Sequence, residues 1–317
     1  MSDDPYWNPG QPGEPSGRFS GGDPLVTDTF ESWWHASLDV VQRSWRTVGL
    51  ILLIGVVLPR WIVGAFNNNV GTAKHDVVVT DWGAWVREYS PGAAAGVIGA
   101  ILSIAALYVA GSAALAAVRT AAAEAAGGFL SLGEAFSFGF RRGRKFFLWL
   151  LLAWVTIAVG LVLCVLPGLW AIFALSLMAP AAVFEARRSP YARSIQLTHS
   201  AFWPAVGRIV IVVLVAVAAN LIISLIGLLL AGVWHAVFAP WLAAVLTVLT
   251  EAIMALLLLV PMIWVLAASL CTYAWLRGRA ESVSATSLSA EASGVATPGG
   301  YTGPGEPGHP GSPSPTP

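Results

Sequence analysis

Between Lys145 and Glu185 the chain runs for 39 residues without one Asp, Glu, Lys or Arg, and Pro167 and Gly168 sit near the middle. A helix needs ~20 apolar residues to cross the ~30 Å hydrocarbon core of a bilayer at 1.5 Å per residue. A single helix of this length would be about twice too long, and a proline at its centre would interrupt the hydrogen-bond ladder. The stretch therefore reads as a helical hairpin, two membrane spans joined by a tight turn. Composition agrees, with 56% hydrophobic and 11% charged residues, about half the charge of an ordinary soluble domain, and a mean hydropathy of +0.72.

Further apolar runs predict spans near Thr47 to Phe66, Gly92 to Val118 and Ile209 to Ala231, and a last one ending near Leu276. From Ile209 to Leu276 the only Asp, Glu, Lys or Arg is Glu251, so the final third admits two or three spans. Charge bias separates these. With six spans, fourteen of the seventeen Lys and Arg residues fall on one side, and only Arg60, Lys74 and Arg87 on the other. By the positive-inside rule both termini are then cytoplasmic. A seventh span would export Arg277 and Arg279, so residues 236–250 are expected to be a re-entrant or interfacial element.

The expected fold is all-α: a polytopic bundle of six transmembrane helices with three cytoplasmic amphipathic helices, between disordered tails at 1–27 and 281–317. The N-terminal stretch has no basic segment followed by an apolar run, so it reads as a Pro/Gly-rich tail and not as a signal peptide. Both tails are too poor in large apolar residues to offset the entropy of ordering. The membrane domain, 28–280, reads as three irregularly spaced repeats of an amphipathic helix followed by two spans. In the first, Phe30, Trp33, Trp34, Ser37, Leu38, Val41 and Trp45 form a stripe opposite Glu31, His35, Asp39, Gln42 and Arg46. The second opens on a Ser131–Glu134 capping box and places Leu132, Ala135, Phe136, Phe140 and Phe147 on one face. The third has Ser189 as N-cap and Pro190 at the first helical position, with Tyr191, Ser194, Ile195, Thr198 and Phe202 opposite Arg193, Gln196 and Ser200. Such helices suit the headgroup plane, and stripes turned against the bundle would give the same sequence. On the first arrangement Arg43, Arg46, Arg141, Arg142, Arg144, Lys145, Arg187, Arg188 and Arg193 are candidate contacts to lipid headgroups.

The run from Leu166 to Gly207, with Pro167, Gly168, Trp170, Pro180, Glu185, Arg193, Ser194, Leu197, Trp203 and Gly207, resembles the membrane domain found in some bacterial glycerophosphoryl diester phosphodiesterases and in stand-alone, uncharacterised membrane proteins. Tyr273, Leu276, Arg277 and Arg279 resemble the end of that domain, and the tails resemble those of actinobacterial members. The resemblance implies a six-span helical domain of unknown molecular role. The phosphodiesterase barrel of the fused proteins begins with a His-Arg pair, which this chain lacks.

Motifs for catalysis are otherwise missing: the sequence contains no HExxH, CxxC, Gly-x-Ser-x-Gly or phosphate loop. Its five histidines are scattered, and Cys164 and Cys271 each lie within an apolar run. No enzyme activity, cofactor, metal or nucleic-acid partner is expected. The expected partners are the lipid bilayer, anionic lipids in particular, or another membrane protein, at the plasma membrane. A transporter or lipid-handling protein is the alternative, and a membrane component of glycerophosphodiester metabolism a second. A charge at mid-membrane costs ~2.5–3.5 kcal/mol on insertion scales, so Glu251 needs a partner or water. Arg60, near the same interface, is the candidate, and snorkelling of both to the headgroups is the alternative.

Overall fold

A computed structural model describes residues 23–70, 82–185, 188–279, 281 and 283–294, with the backbone alone for 68–70 and 82–95. Most of both expected tails, and Arg187, lie outside the described residues. Six stretches are long and apolar enough to cross a membrane: Phe30–Asn67, Gly96–Ala125, Leu132–Leu163, Val165–Phe184, Phe202–Val237 and Pro240–Gly278. Among the described residues there is no strand. This is an all-helical, multi-pass membrane protein.

Helix α1 (Phe30–Leu52) starts at Thr29, whose hydroxyl accepts from the Ser32 amide while the Ser32 hydroxyl accepts from the Thr29 amide. It continues through a π-helical turn (Leu53–Val57) into α2 (Leu58–Val70). The π turn ends just before Pro59, which has no amide hydrogen to continue the ladder. Gly55 on this turn touches Ala113 of α3 (Trp82–Ala125), where a side chain would overlap the Ala113 methyl. Helix α4 (Leu132–Leu163) opens on the expected capping box of Ser131 and Glu134. It crosses α3 closely because Gly139 and Gly143, four residues apart, lie directly against Ser112. Small residues with this spacing let two backbones approach in an apolar solvent.

The hairpin turns at Cys164, three residues earlier than expected. Pro167 sits in the first turn of α5 (Val165–Leu175), where its missing amide hydrogen removes no ladder bond. Gly160 and Gly168 pack backbone to backbone across this turn. The fourth span breaks at Ser176–Leu177 and resumes as α6 (Met178–Phe184). Pro180 could not have donated to the Ser176 carbonyl, so the ladder fails there. Ser189 caps α7 (Pro190–Ser200), with Pro190 at the first position, as expected.

Two long helices follow, α8 (Phe202–Val237) and α9 (Pro240–Gly278). The turn between them is Phe238–Ala239, so residues 236–250 form no separate re-entrant element: they are the end of one long helix and the beginning of the next. At 36 and 39 residues, α8 and α9 are about 54 and 58 Å long at 1.5 Å per residue, well beyond the ~30 Å core. The expectation assumed that each span stops at the bilayer edge, whereas a helix can tilt or protrude. The amphipathic segments differ in a similar way. The first two are continuous with the spans that follow, and only the third is a separate helix.

The chain does not end at Gly278. Helix α10 (Ala285–Ser293), inside the expected C-terminal tail, is capped by Ser284 and closed by Gly294 in the left-handed conformation, φ +75°. It buries Leu288, and its first amide, Ala285, donates to Asp23 at 2.9 Å. Leu25 is fully buried beside it in the shared core.

Packing is lopsided along the bundle axis. The core gathers Trp33, Val40 and Val48 of α1, Leu115 and Val118 of α3, Phe138 of α4, Leu177 and Val183, Leu197 of α7, and Ile263 to Leu276 of α9. This is the end that carries the basic residues. Beyond Val212 no residue of α8 is buried, and before Ile263 only Ala243 and Thr250 of α9 are. The other end, toward the α8–α9 turn, is splayed.

Candidate functional site

The polar island around α7 is knitted into the packed end. Glu185, just past the C-terminus of α6, accepts from Arg193 Nε at 2.7 Å and from the Tyr273 hydroxyl at 2.9 Å. The Glu185 and Arg193 side chains are each only 9% exposed. Arg193 continues to Gln196 at 3.1 Å and to Glu281 at 3.4 Å. Arg277 Nε donates to Glu281 at 2.8 Å, and its two terminal nitrogens clamp Glu291 of α10 at 2.6 and 2.9 Å. Arg188 approaches Glu185 at 3.8 Å from an exposed position. One alternating chain of guanidinium and carboxylate groups thus ties α6, α7, α9 and α10 together. Arg193 is therefore not a headgroup contact. Its periodicity suggested an outward face, but its partner is a carboxylate on a non-helical connection.

His199 is held by both ring nitrogens. Nε2 accepts from Trp170 Nε1 at 3.1 Å, and Nδ1 lies 2.8 Å from the Ile195 carbonyl, which fixes the proton on Nδ1. Glu185, Arg193 and His199 thus each serve a packing contact. Ser194 does the same for the broken span: its hydroxyl donates to Ala174 O at 2.7 Å and accepts from Leu177 N at 3.2 Å. Backbone groups freed by a break at membrane depth need such partners.

Other cations at this end are also internal. Arg142 donates to the Ala182 and Val183 carbonyls at 3.0 and 2.6 Å, and packs with Arg119 on the Phe138 ring, at 4.8 and 4.5 Å from its centroid. It belongs to the α4–α6 contact and not to the headgroup set. Arg208 lies 3.8 Å from the Trp275 ring centroid, with Arg279 packed on the same ring at 5.4 Å. Trp33, alongside, donates to the Thr272 hydroxyl at 3.0 Å. Guanidinium groups on aromatic rings are attracted by the ring quadrupole, which offsets part of their desolvation. Arg43, Arg46, Arg141, Arg144, Lys145 and Arg188 remain exposed. Arg46 lies over the ring of Trp45, which is itself 53% exposed.

The expected amphipathic stripes coincide only in part with the buried faces. On α1 the buried series is Trp33, Ser37, Val40, Ser44 and Val48, whereas Phe30 and Trp45 point outward. On α4 it is Ala135, Phe138, Gly139, Gly143 and Phe146, rotated from the expected phenylalanine face because the glycines set the crossing.

A cavity of about 730 Å³ opens at the splayed end, in the wedge between α2 and α8 with α9 as its floor. Arg60, Asn220, Ser224, His235, Thr247 and Glu251 supply its polar lining, and Gly227, Met254 and Leu258 part of its apolar lining. Arg60 Nη2 reaches Asn220 Oδ1 at 3.5 Å. A Glu251 carboxylate oxygen lies 3.9 Å from where a Cβ on Gly64 would stand. The structure therefore brings Arg60 and Glu251 to one cavity, which Asn220 also lines. Among the described residues no group of three or more His, Cys, Asp or Glu side chains is disposed to hold a metal. Cys164 and Cys271 are both free thiols, the latter buried.

No family model, no curated protein and no solved structure matches the chain.

Proposed function

We propose that this chain is a non-enzymatic protein of the plasma membrane, with both termini cytoplasmic, whose basic end binds anionic lipid headgroups or a membrane-protein partner. The observation that carries this reading is the division among the cations. Arg119, Arg142, Arg193, Arg208 and Arg277 are engaged inside the fold, whereas Arg43, Arg46, Arg141, Arg144 and Lys145 stay exposed at the same end, Arg46 against the outward Trp45. Exposed Trp beside Arg at the end of an apolar helix suits the headgroup region. Each cation held near an anionic surface contributes about 1 kcal/mol of attraction. The skew of fourteen basic residues among seventeen supports the orientation.

A lipid-handling or transport role is a second reading, favoured by the cavity between α2 and α8. A place in glycerophosphodiester metabolism is supported by the sequence resemblance alone.

Native mass spectrometry of the protein released from vesicles containing phosphatidylglycerol tests the first reading. Wild type is expected to keep the anionic lipid and the variant Arg141→Gln, Arg144→Gln, Lys145→Gln to lose it. Arg142 is left in place because it holds α6. Equal retention by both proteins would turn the search toward a protein partner.

A further inference from the structure

Among the described residues two arginines are buried, Arg193 at 8% exposure and Arg208 at 5%. Arg193 donates to the carboxylates of Glu185 and Glu281. Arg208 forms no ion pair with any described residue. We propose that the unfilled edge of Arg208 binds one phosphate or phosphate monoester group, held between the first turn of α8 and the Trp275 ring. None of the exposed cations at the basic end takes part.

The hydrogen bonds of Arg208 leave a complete fork open. Nη1 donates to the Pro204 carbonyl at 3.3 Å, a long contact for such a bond. The side edge of the guanidinium carries Nε and Nη2. Nε is sealed from solvent without a partner, and Nη2, which makes no bond either, still reaches the surface. In the neighbouring network a carboxylate meets Nε in each case: Arg193 Nε donates to Glu185 at 2.7 Å, and Arg277 Nε to Glu281 at 2.8 Å. Two parallel N–H groups on a guanidinium match two oxygens of an oxyanion.

Electrostatics at this spot favour an anion. A buried charge without a counter-charge is costly, and a ring contact offsets only part of that cost. Arg208 has two such contacts, with Trp275 at 3.8 Å and Trp33 at 6.0 Å. Arg279, whatever else it bonds, packs on the Trp275 ring at 5.4 Å and so places like charge alongside. The Pro204 carbonyl belongs to the first turn of α8, which has no side-chain cap. That end of a helix carries the positive pole of its dipole. Ring partner and helix end therefore both oppose the Arg208 charge, and both attract an anion seated on its free edge. A carboxylate would spend both of its oxygens on the fork. A phosphate monoester keeps a third oxygen for the positive surroundings, and its charge of about −1.5 to −2 answers more than one cation.

The phosphate can belong to a lipid headgroup or to a soluble compound, and the test separates the two. The full chain in maltoside micelles receives inorganic phosphate, with chloride at equal ionic strength as control, or phosphatidic acid, with diacylglycerol as control. Its melting temperature should rise saturably with at least one phosphate probe. A rise with phosphatidic acid alone identifies a headgroup, and a rise with inorganic phosphate a soluble group. Arg208→Lys keeps the charge but not the fork and should bind about tenfold more weakly, as expected for the loss of one bond between charged groups. Arg208→Met, which removes a buried charge that nothing neutralises, should melt no lower than wild type without phosphate. It should lose the response to inorganic phosphate and, combined with the rim variant Arg141→Gln, Arg144→Gln, Lys145→Gln, the response to phosphatidic acid. The rim variant alone should respond as wild type does even where it no longer keeps phosphatidylglycerol, which separates failure here from failure of the basic-end reading. No response by wild type, loss of the response in the rim variant, undiminished affinity in Arg208→Lys, an equal response after Arg208→Met, or a lower melting temperature of Arg208→Met without phosphate would overturn the assignment.

Discussion

The Ser194 hydroxyl and the Leu177 amide are 3.2 Å apart, and through this contact one helix repairs the break in another. The same hydroxyl donates to Ala174 at 2.7 Å, so both sides of the interruption depend on one atom. Ser194→Ala leaves a buried donor and a buried acceptor without this partner. Each such orphan costs about 1–3 kcal/mol. The expected outcome is a lower melting temperature in detergent, with protection of the 174–178 amides lost first in hydrogen exchange.

Arg193 and Glu185 are both buried, and removing one partner of such a pair typically costs ~3–5 kcal/mol. Arg193→Leu alone should therefore destabilise the protein more than Arg193→Leu combined with Glu185→Leu. A thermal-unfolding double-mutant cycle reads the difference as a coupling energy. Additive effects would show that the pair contributes nothing beyond its separate contacts.

Gly139 and Gly133 lie on the same helix and should respond oppositely to alanine. A methyl at Gly139 runs into the Ser112 carbonyl, whereas one at Gly133 meets nothing within 4 Å. Gly139→Ala is expected to lower the yield and melting temperature of the folded protein. Gly133→Ala should be neutral or stabilising by up to ~1 kcal/mol, the helix propensity of alanine over glycine.

The bidentate contact from Arg277 to Glu291 holds α10, which has only Leu288 as a large buried anchor. Glu291→Gln should therefore release α10 while leaving the six spans folded. Limited proteolysis is the check: cleavage within 285–293 should quicken several-fold, with no change in cleavage between the spans.

The parts legible in the sequence are those whose chemistry is local. The caps at Ser131 with Glu134 and at Ser189 with Pro190 need only three or four consecutive residues, and both form as read. The number of spans follows from apolar length and charge bias, which also belong to single segments. Arg193 was misplaced because helical periodicity assigns a cation outward unless a partner intervenes, and its partners Glu185 and Glu281 come from other elements. The α10 helix escaped notice for a related reason. Its composition is that of a tail, and its order comes from Arg277, Asp23 and the core under Leu288. Arg60 and Glu251 each stood out as charged residues in apolar runs, but the wedge that unites them depends on how three helices pack, which no local pattern encodes.

Asp23 bonds to the first amide of α10 at 2.9 Å, so the two ends of the described residues meet. Segments that leave the protein at these two points start from one spot on it. Two ligand-binding modules joined to the chain, one before Asp23 and one after Gly294, would share a common tether point, and their mutual effective concentration would be set by the length and stiffness of the intervening linkers. In that respect the protein offers a ready pairing device, in which the six spans serve as the anchor and the Asp23–Ala285 contact as the clip.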